Sequence, residues 1–244
     1  MTVASLSIDS FEICHRGLVR EVNEDSALAL PEQGLWAVAD GMGGHSRGDY
    51  ASQLITRSLS DMTIARGNSI DGQLNQLEQL LQHLNTRMLK AAQEISETAI
   101  VGSTVVVMIA KEYTAGLLWA GDSRAYRLRT GMLEQLTIDH TVANELIRQQ
   151  GWSADQAAQA QDAETLTMAA GASPFSPERS IIDIAPGDRF CLCSDGLNKL
   201  VSDQEMAEIM TEQSGARAAT EHLVQLALDR GAIDNISTIV INFS

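Results

Sequence analysis

Short apolar runs separated by polar turns predict that strands form much of this chain. Alternating or continuous apolar residues, rich in Val, Ile and aromatic side chains, predict eight strands: Phe11–His15, Leu35–Ala39, Thr104–Ala110, Ala115–Ala120, Ala125–Leu128, Ile181–Ile184, Arg189–Cys193 and Ile236–Asn242. Several of these strands are separated by only a few residues, as at 111–114 and 121–124. Connections this short permit antiparallel hairpins but not a parallel crossover.

Apolar residues at three-, four- and seven-residue steps predict two blocks of helix. The first block covers about Asp49–Ile64 and Gln73–Ile95, and the second covers about Asp203–Met210 and Ala216–Leu228. The order of strands, helix pair, strands and helix pair predicts an α+β sandwich, with antiparallel sheets inside and helices packed outside. Because no repeat, low-complexity tract or linker divides residues 1–244, we expect one domain.

The segment between His140 and Pro177 fits this scheme poorly. A helix is predicted over Val142–Gln150, and an Ala- and Gln-rich run and a Gly- and Pro-rich end follow it. A long, weakly patterned insertion in a compact domain is often a functional lid or binding loop. A surface loop without a functional role is the alternative, and the sequence leaves both open equally.

Composition and charge narrow the expected partners and location. The chain has 17 Lys and Arg against 32 Asp and Glu, a formal net charge of −15. Binding to nucleic acid or to an anionic membrane needs a basic face, so neither is an expected partner. The first nine residues lack the pattern of a signal peptide, no run of ~20 apolar residues occurs, and three cysteines do not indicate a disulfide framework. We therefore expect a cytoplasmic protein.

Four carboxylates stand at the ends of the most apolar predicted strands. Asp40, Asp122 and Asp195 each follow such a strand, and Asp234 precedes one. One Asp-Gly pair at a strand end is ordinary turn chemistry. If these strands are neighbours, however, their ends bring several negative charges together, and a divalent cation would relieve the repulsion. Oxygen ligands without His or Cys favour Mg²⁺ or Mn²⁺ over Zn²⁺, and Gly41 could add its carbonyl.

Such a site suggests hydrolysis of a phosphate ester. Two ions bridged by a shared carboxylate would acidify a water to hydroxide and orient it for in-line attack on phosphorus. The phosphate also needs a cation for its other oxygens, and Arg20 is the candidate because guanidinium matches phosphate in a bidentate fork. A solvated Arg20, or one paired with Glu24, is the alternative. Asp25 either belongs to the metal shell or caps a local turn.

Taken together, these segments resemble the metal-dependent protein phosphatase family (PPM, or type 2C) of Ser/Thr phosphatases, in its stand-alone bacterial form. The matching motifs follow the order of the family and span residues 17 to 242: Gly17–Asp25, Val38–His45 with Ala51-Ser52, Gly102–Thr104, Gly121–Tyr126, Leu136–His140, Pro186–Asp188, Ser194–Leu197 and Asp234-Asn235. The resemblance implies a four-layer fold, in which two antiparallel sheets lie face to face with paired helices on each outer side. It also implies a site at one end of the sheets.

The resemblance further implies a role for each metal-facing position. Asp40 would bridge two core ions, and Gly41 would donate its carbonyl to one of them. Asp195 and Asp234 would complete the shell of the first ion, and Asp25 would lie at the second ion through water.

Three further assignments follow from the resemblance. Asp122, together with Asp195, resembles the weaker third-metal site of bacterial members, and Arg20 would bind the substrate phosphate. The insertion at about 141–177 resembles the family's flap, a variable segment tied to substrate choice and third-metal binding.

Two departures from the family pattern leave questions open. Met42 stands where many eukaryotic relatives carry a histidine proposed to protonate the leaving group, so His45 or a metal-bound water becomes the candidate general acid. A loop role for His45 is the alternative. The flap sequence Asp162–Gly171 is acidic and rich in small residues where relatives often carry a basic segment, so their substrate preference does not transfer.

The sequence therefore predicts a Mg²⁺- or Mn²⁺-dependent phosphatase that hydrolyses phosphoserine and phosphothreonine by direct attack of a metal-bridging hydroxide. The expected partners are phosphorylated Ser/Thr proteins and a cognate bacterial Ser/Thr kinase of eukaryotic type, with type VI secretion control among the possible pathways. We expect a monomer. The alternative is a catalytically weak module that binds phosphoproteins, whereas a two-metal nuclease conflicts with the charge of −15.

Overall fold

The computed structural model describes residues 6–43, 47–64 and 67–244. The strands in these ranges are β1 (Ile8–His15), β2 (Asp25–Leu30), β3 (Leu35–Met42), β4 (Gly102–Ser103), β5 (Val105–Lys111), β6 (Thr114–Ala120), β7 (Arg124–Arg129), β8 (Met132–Gln135), β9 (Glu178–Asp183), β10 (Arg189–Cys193) and β11 (Ile236–Phe243). The helices are α1 (Gly48–Ser60), α2 (Ile70–Ile95), α3 (Val142–Gln150), α4 (Ala154–Ala158), α5 (Asp195–Asn198), α6 (Asp203–Glu212) and α7 (Ala216–Asp229). None of these helices has both the length and the apolar character needed to cross a membrane.

The strands form two sheets whose pairings are all antiparallel. The first sheet has the order β1-β11-β10-β7-β8, and the second has the order β2-β3-β5-β6-β9, with β4 paired to β3. Alternate residues of a strand point to opposite faces, so Val105 packs toward the helices and its neighbour Val106 packs toward the other sheet. Between the sheets, Phe243 lies edge-on to Trp36 and to Phe190, with ring centroids 6.1 and 5.6 Å apart.

Helix pairs cover the outer face of each sheet. Leu74 and Leu77 of α2 belong to the same buried cluster as Val107 of the second sheet. On the opposite side, Leu223 of α7 belongs to the same buried cluster as Cys191 of the first sheet. The resulting α-β-β-α layers confirm the predicted fold class.

The predicted strands and helices all form, with ends that differ by a few residues, but the sequence did not predict β2, β4, β8, α4 or α5. The predicted end of one strand at Ala39 is wrong, because β3 continues to Met42. Asp40 pairs in register with Asp25 of β2, and Gly41 pairs with Ser103 of β4. Asp40 therefore lies inside a strand and not in a turn after it, which fixes its backbone on both sides.

Candidate active site

A cleft at one end of the sandwich gathers most of the predicted site residues. It has a volume of about 640 Å³. Six of the eight predicted residues line it: Arg20, Asp40, Gly41, Asp122, Asp195 and Asp234. Asp25 lies outside this wall, and His45 lies outside the described residues. The roles assigned to all eight remain predictions.

The antiparallel register explains why these carboxylates meet. Cys193, at the end of β10, pairs with Thr238 near the start of β11, so Asp195 and Asp234 stand at the same end of the first sheet. In the second sheet, Ala120 at the end of β6 pairs with Val105 at the start of β5, and the end of β3 lies alongside. Asp122 and Asp40 therefore project at the same end as the first pair.

Asp25 lies behind the cleft wall, at the junction of the two sheets. Asp25 is only 5% exposed, and its Oδ2 accepts a hydrogen bond of 2.7 Å from the Ser194 hydroxyl at the end of β10. Its Oδ1 is buried without a hydrogen-bond partner. The carboxylate thus faces the first sheet and the Asp40 position, and the local turn is capped instead by Asn23, whose Oδ1 accepts from the Asp25 amide at 3.1 Å.

Burial and mutual repulsion raise the pKa of three of these acids. Burial and the charge of Asp195 raise the pKa of Asp122 to about 6. Burial, together with the charge of Asp195, raises the pKa of Asp25 to about 6, although the Ser194 hydrogen bond opposes the change. Burial and the charges of Asp25 and Asp195 raise the pKa of Asp40 well above its usual range. The site therefore holds more negative charge than its surroundings compensate.

This excess charge predicts an unusual pH dependence for the protein without divalent ions. Asp122 has a pKa of about 6 when folded and an ordinary value of 3.8, so the folded state binds a proton more tightly than the unfolded state. Between about pH 4 and 6, stability is therefore expected to rise as the pH falls, with up to about 3 kcal/mol from this group. Melting temperatures measured in EDTA across this range would show the rise.

The Asp122→Asn variant serves as the control for this pH dependence. Because Asn cannot titrate, its melting temperature should rise less than that of the unmodified protein as the pH falls from 6 toward 4.5. Equal slopes for the two proteins would contradict the assignment to Asp122. Saturation with Mn²⁺ should also flatten the slope, since a bound cation favours the ionised carboxylates.

The chain itself supplies two cations to the cleft. The Arg20 guanidinium donates to Asp234 Oδ2 at 2.8 Å, so neither alternative for Arg20, a pair with Glu24 or simple solvation, describes its contact in the structure. The Lys199 ammonium lies 2.6 Å from Asp195 Oδ2. These are the two basic side chains on the described part of the cleft wall.

The donors fit a divalent cation in chemistry, although their side chains are not arranged as a finished metal site. Buried, unpartnered oxygens on Asp25 and Asp195, and the raised pKa of Asp40, are what a missing positive charge would leave behind. Within residues 6–43, 47–64 and 67–244, however, no three Asp, Glu, His or Cys side chains converge as a metal-binding group. Asp234 and Asp195 are instead turned toward Arg20 and Lys199.

The Gly102–Thr104 motif, to which the sequence assigned no role, holds Asp40 in place. The Asp40 amide donates to Thr104 Oγ1 at 3.0 Å, and the Thr104 amide donates to the Asp40 carbonyl at 2.9 Å. The Ser103 hydroxyl also donates to that carbonyl at 2.9 Å. Thr104 Oγ1 lies 2.7 Å from Ser123 Oγ as well, which links Asp40 to the segment that carries Asp122.

The Leu136–His140 motif fixes the other side of Asp122. His140 Nδ1 accepts from the Gly121 amide at 3.1 Å, and the His140 amide donates to the Gly121 carbonyl at 3.0 Å. Arg124, two residues after Asp122, makes three hydrogen bonds of 2.6 to 3.0 Å to the Asp139 carboxylate. This ion pair is mostly buried and ties the start of β7 to the start of the flap.

Asn235 anchors the loop that carries Arg20. Its side-chain amide donates to the carbonyls of Arg16 and Val22 at 2.8 and 3.1 Å, and its Oδ1 accepts from the Glu24 amide at 2.8 Å. The sequence placed Asn235 in a motif beside Asp234 but gave it no role. Its polar side chain at the start of a buried strand was the available signal, because a buried amide needs partners.

The insertion after His140 contributes one side of the cleft. It forms α3 and α4, and a backbone bridge between Thr141 and Leu166 closes it. Glu164 and Leu166 line the cleft, while the chain beyond them returns to β4 through a bridge between Ala170 and Ser103. The segment is thus in position for the predicted flap, and its role in substrate choice remains a prediction.

Comparisons with known proteins agree with these motifs. The family model for protein phosphatase 2C matches residues 19–229. The serine/threonine protein phosphatase PstP of Mycobacterium tuberculosis is 32% identical over 226 residues, which cover 92% of this chain and 43% of PstP. The chain thus spans less than half the length of that relative.

Solved structures are similar over nearly the whole chain. PppA, described as a key regulatory component of T6SS in Pseudomonas aeruginosa, has a TM-score of 0.89 and 38% identity, covering 99% of this chain and 100% of PppA. The catalytic domain of PstP in complex with two manganese ions has a TM-score of 0.84 and 30% identity, covering 98% of this chain and 99% of that domain.

Proposed function

The chain belongs to the protein phosphatase 2C family, and we propose that it is a serine/threonine protein phosphatase acting on phosphoserine and phosphothreonine. The observation that carries the proposal is the cleft itself, where Arg20 lies among Asp40, Asp122, Asp195 and Asp234. A guanidinium beside clustered carboxylates can bind a phosphate dianion once the negative charge is neutralised.

Metal dependence is the second part of the proposal. Two Mn²⁺ or Mg²⁺ ions would be held by Asp40, Asp195 and Asp234, together with the Gly41 carbonyl and Asp25 behind them. Asp122 would contribute to a weaker third site. When bound, the ions would supply positive charge to the phosphate and make a water acidic enough to lose its proton near neutral pH. The two manganese ions in the PstP catalytic domain support metal dependence.

The chain's own residues would orient the substrate. Arg20 is half exposed at the cleft, and its Nη2 donates to Asp234, so a phosphate oxygen would compete with Asp234 for this nitrogen. Met42 and Leu166 add apolar surface to the same wall. Met42 cannot donate a proton to the leaving alkoxide, so the proposed general acid remains His45 or a water.

The proposed biological setting follows from the relatives. We propose that the protein opposes a bacterial Ser/Thr kinase of eukaryotic type in a signalling pathway. The similarity to PppA over its full length supports control of T6SS as the candidate process. The acidic flap residue Glu164 on the cleft wall would disfavour acidic residues next to the phosphorylated side chain.

Phosphate release from defined peptides tests the proposed function. The purified protein with Mn²⁺ is expected to release phosphate from phosphoserine and phosphothreonine peptides and from p-nitrophenyl phosphate, and EDTA should abolish all three reactions. Undiminished activity in EDTA would contradict metal dependence. Retention of phosphopeptide without phosphate release would instead favour the alternative of a binding module.

A further inference from the structure

The Lys199 ammonium occupies the part of the cleft where the proposed function places a divalent ion. Its Nζ lies 2.6 Å from Asp195 Oδ2 and 3.8 Å from Glu164 Oε2 of the flap. All three side chains line the cleft together with Asp122. A positive charge of the chain itself thus stands among three acids at this end of the site.

Local backbone structure keeps this ammonium close to its partner. Lys199 directly follows the single turn of α5, and its amide donates to the Asp195 carbonyl at 3.0 Å. The two side chains are four residues apart, a spacing that brings them onto the same face of a helical turn. Lys199 therefore remains next to Asp195 even when its side chain moves.

Lys199 forms a hydrogen bond with only one of the two oxygens of the Asp195 carboxylate. Oδ2 accepts the lysine hydrogen bond, whereas Oδ1 is buried without a partner. The lysine side chain is 49% exposed, and the Asp195 side chain is 16% exposed. The ammonium can thus leave into solvent on its flexible stem, but the carboxylate cannot follow it.

We propose that Lys199 is a tethered counter-ion of Asp195, and that its positive charge competes with a divalent ion that binds there. Glu164 of the flap, 3.8 Å from the ammonium, is the acid toward which the repelled lysine would turn. The inference rests on the proposed function, because it assumes that Asp195 is a metal ligand.

Competition between Lys199 and a divalent ion for the Asp195 carboxylate has a defined consequence for the affinity of the protein for that ion. A divalent ion at Asp195 shares the carboxylate with the lysine or displaces it, and in both cases it lies near the repelling ammonium. Removing the lysine charge should therefore tighten ion binding, whereas a merely structural lysine would leave it unchanged or weaken it. The half-exposed position of Lys199 limits the effect, because solvent screens the charge.

Titration of the full chain with Mn²⁺ in the absence of substrate tests the proposal, with calorimetry or the electron paramagnetic resonance of free Mn²⁺ as the readout. The Lys199→Gln variant is expected to bind Mn²⁺ about 5- to 10-fold more tightly at the site that includes Asp195. Lys199→Arg keeps the charge and should stay close to the unmodified protein. Lys90→Gln removes the same charge from the exposed side of α2 and controls for net charge.

A double-substitution cycle locates the effect. In an Asp195→Asn background, Lys199→Gln should no longer tighten Mn²⁺ binding, because the competed carboxylate is gone. Equal tightening in both backgrounds, or unchanged or weaker binding by Lys199→Gln, would overturn the proposal. Lys199→Ala repeats the test if the Gln variant melts at a lower temperature. Failure of the proposed metal dependence would appear as an unmodified protein that binds no Mn²⁺. Failure of the present proposal alone would appear as Mn²⁺ binding that Lys199→Gln does not tighten.

Discussion

The Asp40→Asn variant is expected to lose Mn²⁺-dependent hydrolysis of p-nitrophenyl phosphate by a factor of about 10³ or more. Asp40 is the proposed bridging ligand, and a neutral amide lacks the negative charge that two cations need. Ser103 and Thr104 fix the backbone at this position, so the substitution changes the ligand and not its place. Steady-state rates with saturating Mn²⁺ would measure the loss. Asp195→Asn is expected to behave in the same way.

Stability measurements separate loss of the site from loss of the fold. Because burial and neighbouring charges raise the pKa of Asp40 well above its usual range, its ionised form destabilises the protein without metal. Asp40→Asn should therefore melt at a higher temperature than the unmodified protein in EDTA and gain less from Mn²⁺. Asp61→Asn, on an exposed residue after α1, is the matched control and should retain full activity. Full activity in Asp40→Asn would refute the proposed metal site.

The Arg20→Ala variant is expected to raise the KM for p-nitrophenyl phosphate by about 10- to 100-fold, with a smaller effect on kcat. The guanidinium is the proposed ligand of the phosphate oxygens, and the Asn235 hydrogen bonds hold its loop at the cleft. Inhibition by inorganic phosphate should weaken in parallel, because the product carries the same oxygens. Steady-state kinetics with a phosphate inhibition series would measure both effects.

Two further variants make this second prediction specific. Arg20→Lys keeps the charge but loses the bidentate fork, so its KM should lie between those of Arg20→Ala and the unmodified protein. Arg87→Ala removes an exposed arginine from α2 and should change neither constant. An unchanged KM and an unchanged rate in Arg20→Ala would exclude Arg20 from phosphate binding.

The sequence predicted the layers well because burial leaves a strong pattern. Strands such as β5 and β10 are covered on both faces and consist almost entirely of apolar residues, which makes them easy to recognise. β2 and β8 were missed because most of their residues are partly buried or exposed, and their sequences do not alternate clearly between apolar and polar residues. The two residues of β4 are too few to carry any period.

The candidate site was only partly predictable for a different reason. That several carboxylates would meet at one end followed from their positions next to apolar strands. Their side-chain partners did not follow, because Arg20 and Asp234 are 214 residues apart and Asp25 reaches Ser194 across 169 residues. Contacts between distant segments depend on strand order and register, and a single sequence does not state these.

The attachment of the insertion after His140 has a consequence for how members of this family diversify. The backbone ties between this segment and the sandwich lie near its two ends, at Gly121 with His140 and at Ser103 with Ala170. Between these anchors, α3 and α4 contribute none of the residues that brace Asp40 or Asp122. A stretch whose backbone is anchored to the sandwich near its two ends is a natural place for insertion, deletion and exchange. Chimeras joined at these anchors are therefore expected to carry a new surface at the cleft while the two sheets and their carboxylates stay unaltered.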